Sequence, residues 1–264
     1  MLYTTKKKLA VITGASSGLG KCFAESYASR GYSVVLIARR KTLLDDLALN
    51  LKKKYGSDVH VFTSDLASSV QRKKLIQNLQ QQFKAIDIFI NNAGFGIFGE
   101  ALKVGIENST QMIELHSSAV TELTLALLPQ VQKSEDRGII HVSSVAAFHP
   151  SVYAAVYAAT KAYIYSFSMA LASEYEDRIN ILTLCPGITD TDFWPTSGVT
   201  PPKMLFHSPE KVVLLAIEAL GKKKLVVVGL ENKLRILVQK IFTDEFVLYI
   251  TKKISILLKW NTKK

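Results

Sequence analysis

Residues 9 to 20 read Leu-Ala-Val-Ile-Thr-Gly-Ala-Ser-Ser-Gly-Leu-Gly, and this stretch decides the fold. Its first four residues are an uninterrupted apolar run, the pattern of a buried strand. Gly14, Gly18 and Gly20 follow, and a helix-like segment then extends to Gly31. Glycines between strand and helix let the backbone turn tightly and approach a pyrophosphate, whose charge the helix N-terminus favours. A glycine turn without a ligand is the plainer alternative. It is weakened because all three glycines fall where strand passes into helix.

Working outward, residues 33–38 read as a second strand that ends at Arg39-Arg40. Dinucleotide sites for NAD place an acidic residue at this point to hold the ribose 2′-hydroxyl, whereas guanidinium groups suit a 2′-phosphate. The pair predicts NADP(H) as cofactor, the alternative being two solvated charges at a strand end. Residues 41–55 have an amphipathic helical pattern, 59–63 a strand ending at Asp65-Leu66, and 68–83 a helix with a glutamine-rich face. Residues 86–90 form a further strand that runs into Asn91-Asn92-Ala93-Gly94, and 225–228 read as the last one. Strands alternating with helices imply an α/β protein whose parallel sheet is covered on both faces. No internal repeat or linker interrupts the pattern.

The chemistry-bearing stretch lies at residues 143–161, Ser-Ser-Val-Ala-Ala-Phe-His-Pro-Ser-Val-Tyr-Ala-Ala-Val-Tyr-Ala-Ala-Thr-Lys. Tyr157 and Lys161 are four residues apart in an alanine-rich helix former, so both project from one face. A free phenol keeps its proton to about pH 10, and a neighbouring ammonium is expected to lower that value. Ser144 follows the apolar run 139–142 and is placed to donate a hydrogen bond to a substrate carbonyl. Alone, a Tyr-x-x-x-Lys pair is a common surface pattern; the nucleotide turn gives it meaning.

Taken together these motifs resemble the short-chain dehydrogenase/reductase family over residues 9–228. The matching elements are Thr13-Gly14-x-x-x-Gly18-x-Gly20, Asn91-Asn92-Ala93-Gly94, Ser144 thirteen residues before Tyr157, Tyr157-x-x-x-Lys161, and Pro186-Gly187-Ile188-Thr189-Asp190-Thr191. The resemblance implies a Rossmann-type doubly wound sheet of about seven strands and ketone–alcohol interconversion. In that chemistry Tyr157 is the acid or base, Lys161 its electrostatic partner and Ser144 the carbonyl polariser. It further implies cofactor contacts from Ser16, Ser17 and Leu19 at the phosphates, Asp65 and Leu66 at the adenine, and Asn92, Ala93 and Gly94 beside the ribose. Ile188 and Thr191 would hold the nicotinamide carboxamide, and Tyr157 and Lys161 its ribose. A homodimer or homotetramer through the helices near 108–132 and 152–175 is implied as well. No metal is required.

One position departs from the family pattern. Where an asparagine is usual, thirteen residues before Pro129, this chain has His116. A neutral imidazole can donate and accept, so His116 is a candidate member of a proton relay to Lys161, and a pKa near 6.5 would make that relay pH-sensitive. A buried histidine that only packs is the alternative.

The chain has 264 residues and 48% apolar content, which suits one domain. Its two cysteines, Cys22 and Cys185, make no disulfide framework and point to a reducing compartment, the cytoplasm. The net charge of +11 lies at the ends: residues 9–221 balance, while residues from 222 onward hold 11 basic and 3 acidic side chains. No basic face with aromatic interleaving appears, so nucleic acid is not an expected partner. Substrate loops at 95–98, 148–153 and a lid at about 188–208 contribute Phe95, Phe98, Phe148, Tyr153, Phe193, Trp194, Met204 and Phe206. Few charges among so many aromatics favour a bulky apolar ketone such as an acyl, sterol or retinoid compound.

Residues 231–264 form a basic amphipathic extension beyond the domain at 1–230. Leu234, Leu237, Val238 and Ile241, then Phe246 to Ile250, then Ile254, Ile256, Leu257, Leu258 and Trp260 are its apolar groups. Its uncharged runs fall short of the ~20 residues a bilayer span needs. It reads as a membrane-surface segment or as a tail that packs on the fold or a partner. Two rival functions follow: a nucleotide-binding regulatory module without turnover, and a membrane-attached scaffold.

Overall fold

In the computed structural model, which describes residues 7–199, 201–239 and 241–257, the apolar runs become one parallel sheet. Lys6, Leu258 and Trp260 lie outside the described residues. The strands are β1 (Leu9–Thr13), β2 (Ser33–Ala38), β3 (Val59–Thr63), β4 (Ile88–Asn91), β5 (Gly138–Val142), β6 (Asn180–Cys185) and β7 (Leu225–Val227). Their order across the sheet is β3-β2-β1-β4-β5-β6-β7. The chain therefore steps outward from β1 to β3, returns to β4 beside β1, and steps outward again. The order reverses between β1 and β4, the place where open α/β sheets form crevices.

Helices cover both faces, and the period of two along each strand sorts the core. Ala10, Ile12, Val34 and Leu36 pack against α1 (Gly18–Ala28), α2 (Lys41–Tyr55) and, further along, α8 (Pro209–Ala219). Val11, Val35, Ile37 and Phe89 face α3 (Ser69–Gln82), and Leu123 and Leu171 bring in α5 (Ala119–Gln132) and α6 (Ala155–Glu174). Burial on both sides explains why the central strands carry hardly a polar residue. The sequence-derived fold class is the observed one: a Rossmann-type doubly wound sheet of seven strands in one domain.

The helical stretch that contains the helix expected near 108–132 is interrupted twice. Gly105 adopts φ +79° inside α4 (Ala101–Ile113), and a π-helical turn at Glu114–Ser118 joins α4 to α5. A π turn inserts an extra residue into the helix and redirects the side chains around it. Here it carries the fully buried His116. The turn is held from outside by Arg72 on α3, a residue only 1% exposed. Arg72 donates to Glu122 at 2.9 and 3.0 Å, to Glu114 at 3.1 Å and to the Leu66 carbonyl at 2.8 Å.

Past β6 the chain forms the short helix α7 (Phe193–Ser197) and, after α8 and β7, the tail helices α9 (Leu230–Gln239) and α10 (Asp244–Leu257). The tail packs on the fold at its start. Asn232 is buried and donates to the Val228 carbonyl at 2.8 Å, and its amide is so near Gly187 that a Cβ there would meet it at 2.4 Å.

Arg72→Met removes the clamp while keeping most of the volume. It is expected to cost about 2 kcal/mol in urea unfolding at neutral pH, discounted from a fully buried pair because both carboxylates reach water. The Arg72 hydrogen bond holds Glu122 below the usual carboxylate range. That part of the stability is therefore present above the unfolded carboxylate's pKa and fades as pH falls through the lower folded value. The difference between wild type and variant should shrink in acid.

Candidate active site

The C-terminal ends of β1, β4, β5 and β6 and the loops that leave them enclose a cavity of about 1300 Å³. The glycine turn forms one end of it. Gly14 has φ +67°, and a Cβ there would lie 2.8 Å from Asn92 Nδ2 and 2.9 Å from Ala93 Cα. A Cβ at Gly20 would lie 2.2 Å from the Gly14 carbonyl oxygen. Gly20 thus lets the turn close on itself and is not part of the cavity wall. Ser17 starts α1 without a side-chain cap, and the first turn holds no acidic residue. The leading backbone N–H groups of α1 therefore have no acceptor within the helix.

The remaining candidate positions gather along the same wall. Arg40 Nη2 donates to Ser16 Oγ at 2.9 Å and Ser17 Oγ at 2.6 Å, which folds the guanidinium over the glycine turn beside Arg39. Asp65 and Leu66 follow the end of β3, and Asn92, Ala93 and Gly94 follow β4. Ile188 and Thr191 come from the loop after β6, with Thr191 packed directly over Gly18.

Ser144, Tyr157 and Lys161 meet at the centre of the cavity. The Ser144 hydroxyl accepts from the Ala146 N–H at 3.1 Å and is near enough to the phenol of Tyr157 to act on its pKa. Lys161 Nζ donates to the Val142 carbonyl at 3.0 Å and lies 5.8 Å from the Tyr157 ring centroid. Burial pushes the phenol up to about 12, offset only in part by the Ser144 hydroxyl, and holds Lys161 down to about 8. The expected lowering of the phenol's pKa by the ammonium is thus not what the chain's own groups produce, because desolvation penalises both charges.

His116 lies behind this set, with both ring nitrogens engaged. Nε2 accepts the Phe95 N–H at 3.2 Å, so the proton is on Nδ1, which donates to Thr160 Oγ1 at 2.9 Å. Thr160 in turn donates to the Tyr157 carbonyl. Burial first, and then the charge of Lys161, push its pKa well below 6.5. Both effects act against the titration near 6.5 that a pH-sensitive relay would use. A Cβ at Gly94 would stand 2.9 Å from His116 Nε2 and 3.5 Å from Lys161 Nζ, so glycine is required there by contact.

Beyond Tyr157 the cavity widens into an apolar chamber. Phe98 packs edge-on against Tyr157 at 5.2 Å and stacks with Trp194, while Phe193 lies 5.8 Å from Tyr157. Phe95 also lines the chamber. Phe148 instead packs on Tyr165, Phe206 lies edge-on to Trp194, and Met204 is exposed. Gly96 is a position that sequence reasoning passed over: a Cβ there would meet Phe193 at 2.7 Å and the Tyr157 ring at 3.1 Å. Packing of the tail on the fold was one of the two readings of its sequence, but its part in the cavity wall was not foreseen. Leu234, Val238, Phe242, Phe246, Ile250 and Ile254 form the far wall. Their regular spacing of four residues was the available signal, but nothing in it names the surface it meets.

A dinucleotide-type crevice with a serine, a tyrosine and a lysine at its centre defines a class of α/β oxidoreductase, and comparison with known proteins agrees. The family model described as short chain dehydrogenase matches residues 8–200, and the chain belongs to that family. It is 32% identical over 189 residues to the NADP-dependent 3-hydroxy acid dehydrogenase of Schizosaccharomyces pombe, covering 70% of this chain and 73% of that one. Among solved structures, a short-chain dehydrogenase from Sphingobium yanoikuyae in complex with NADPH superposes with a TM-score of 0.79 at 28% identity, over 88% of this chain and 93% of that one. The bulky-bulky ketone specific alcohol dehydrogenase from Comamonas testosteroni gives 0.75 at 27% identity, over 90% and 94%.

With both nitrogens bonded inside the protein, the His116 ring resonances should not titrate between pH 5.5 and 9 in an NMR series, a window of about one unit or more either side of an ordinary imidazole pKa. His116→Asn should cost about 1–2 kcal/mol through the lost Thr160 and Phe95 bonds. A titration near 6.5 would instead support a pH-sensitive relay through His116.

Proposed function

We propose that this oxidoreductase interconverts a bulky apolar ketone or aldehyde and its alcohol, with NADP(H) as the hydride carrier. The observation that carries this reading is the continuity of the cavity. One space runs from a glycine turn flanked by Arg39 and Arg40, past Ser144, Tyr157 and Lys161, into a chamber of aromatic and aliphatic side chains.

The chain's own residues fit a phosphorylated dinucleotide. The turn is stripped of Cβ atoms at the positions where they would block its backbone, the first N–H groups of α1 lack acceptors within the helix, and Arg39 and Arg40 at the end of β2 supply the guanidinium groups that would suit a 2′-phosphate. The matched relatives named for NADP and solved with NADPH support the same choice.

In the reducing direction the Tyr157 phenol, protonated at neutral pH, gives its proton to the carbonyl oxygen. The Ser144 hydroxyl donates a hydrogen bond to that same oxygen, and both donors act where negative charge develops. The Lys161 ammonium stabilises the phenolate left on Tyr157. When bound, the nicotinamide supplies the hydride that the carbonyl carbon receives. The aromatic walls exclude water and hold the substrate's apolar bulk against the donors. His116 serves by fixing the turn at Gly94 and Phe95 against α6.

NADPH oxidation measured against a ketone panel tests the reading. Bulky apolar ketones should turn over, and Tyr157→Phe should lower kcat by about 10³-fold while NADPH binding by fluorescence changes far less. Turnover confined to small polar hydroxyacids, or unchanged in Tyr157→Phe, would overturn it. The rate of reduction should decline above about pH 8, where Lys161 loses its proton and the phenolate loses its support.

Arg39→Ala/Arg40→Ala isolates the cofactor choice. The double variant should bind NADPH about 10- to 100-fold more weakly, the usual value of charge-assisted hydrogen bonds, with little change for NADH.

A further inference from the structure

The tail helices have a second face. Among the described residues, close to half of the large apolar side chains that the fold leaves exposed fall between Leu230 and Ile256. Leu237, Ile241 and Tyr249 are 60, 75 and 55% exposed and take no part in the cavity wall. The wall residues Val238, Phe242 and Phe246 are also about half exposed, and they continue this apolar surface to the rim of the chamber. An exposed apolar surface of this kind marks an interaction site.

Charge decides what the surface meets. Lys233, Lys252 and Lys253 are exposed on the same two helices, and Lys253 Nζ lies 4.5 Å above the ring of Tyr249. From residue 222 onward basic side chains outnumber acidic ones 11 to 3, whereas residues 9–221 are neutral. Apolar side chains with lysines reaching up their flanks, and a tyrosine at the boundary, suit the headgroup layer of an anionic bilayer. No helix of the described residues is long and apolar enough to cross a membrane, so the contact is with one leaflet.

We propose that the outer face of α9 and α10 seats this protein on an anionic lipid bilayer, with the apolar chamber opening toward the acyl layer. An apolar substrate would then enter by partitioning from the leaflet into the chamber without crossing water. This deepens the proposed function, and it rests on that reading for the substrate but not for the contact. The same helices therefore serve as substrate wall on one side and as anchor on the other.

Co-sedimentation of the full chain with phosphatidylcholine vesicles, with and without phosphatidylglycerol, tests the contact without needing turnover. The intact protein should pellet with the anionic vesicles, remain largely in solution with neutral ones, and bind less at high salt. Lys252→Glu/Lys253→Glu should weaken binding at least about tenfold, since each basic residue near such a surface contributes severalfold. Leu237→Ser/Ile241→Ser should abolish it at any salt. All four positions lie outside the cavity, so NADPH oxidation with a water-soluble ketone, run without vesicles, should be unchanged in both variants. An intact protein that stays in the supernatant with anionic vesicles overturns the proposal. So does a dimer, seen by light scattering, that Leu237→Ser/Ile241→Ser splits and that never binds vesicles. Vesicle binding without ketone turnover would leave the contact standing and remove the proposed reaction instead.

Discussion

Thr13 is fully buried at the C-terminal end of β1, and its hydroxyl accepts the N–H groups of Asn92 at 2.9 Å and Ala93 at 3.0 Å while donating to the Ile90 carbonyl. The Asn92 amide returns the contact by donating to the Thr13 carbonyl at 2.9 Å. These bonds join the two strands between which the sheet order reverses. A valine of the same shape would leave two part-buried amides without their acceptor, a costly state. Everything at the site takes its position from this junction. The glycine turn leaves from β1, the Asn92–Gly94 loop leaves from β4, and the tight contact of Gly14 with Asn92 leaves neither loop room to shift.

The central chemistry is governed by burial more than by pairing. Tyr157, Lys161 and His116 are all enclosed, and desolvation is the first cause of the shift at each. The phenol keeps its proton, the imidazole stays neutral, and the ammonium is the one cation of the three, held with a modest margin near neutrality. In so buried a site, donors aimed at a developing negative oxygen are stronger than they would be in water.

The sequence made the sheet legible because doubly buried strands must be apolar throughout and glycine turns must sit where strand gives way to helix. Ser144, Tyr157 and Lys161 were legible for a similar reason: two share a helix face at a spacing of four, and one ends a strand. The π turn was not, since no residue in Glu-Leu-His-Ser-Ser announces it; it depends on Arg72, some forty residues earlier, finding Glu114 and Glu122. Gly96 looked like a loop glycine, and only the approach of Phe193 and Tyr157 gives it meaning. The tail's apolar spacing of four fits a core, a dimer seam or a membrane equally well. Periodicity fixes which side chains share a face, and leaves open what that face touches.

The tail and the loop after β6 are bound to each other twice. Asn232 is lodged against Gly187, and Glu231 accepts a hydrogen bond from His207, whose strand-like bridge to Thr189 leads back to the loop carrying Thr191. The first turn of α9 is thereby tied to the segment that carries Thr191 over Gly18, so the proposed substrate wall and the proposed cofactor loop share one point of attachment.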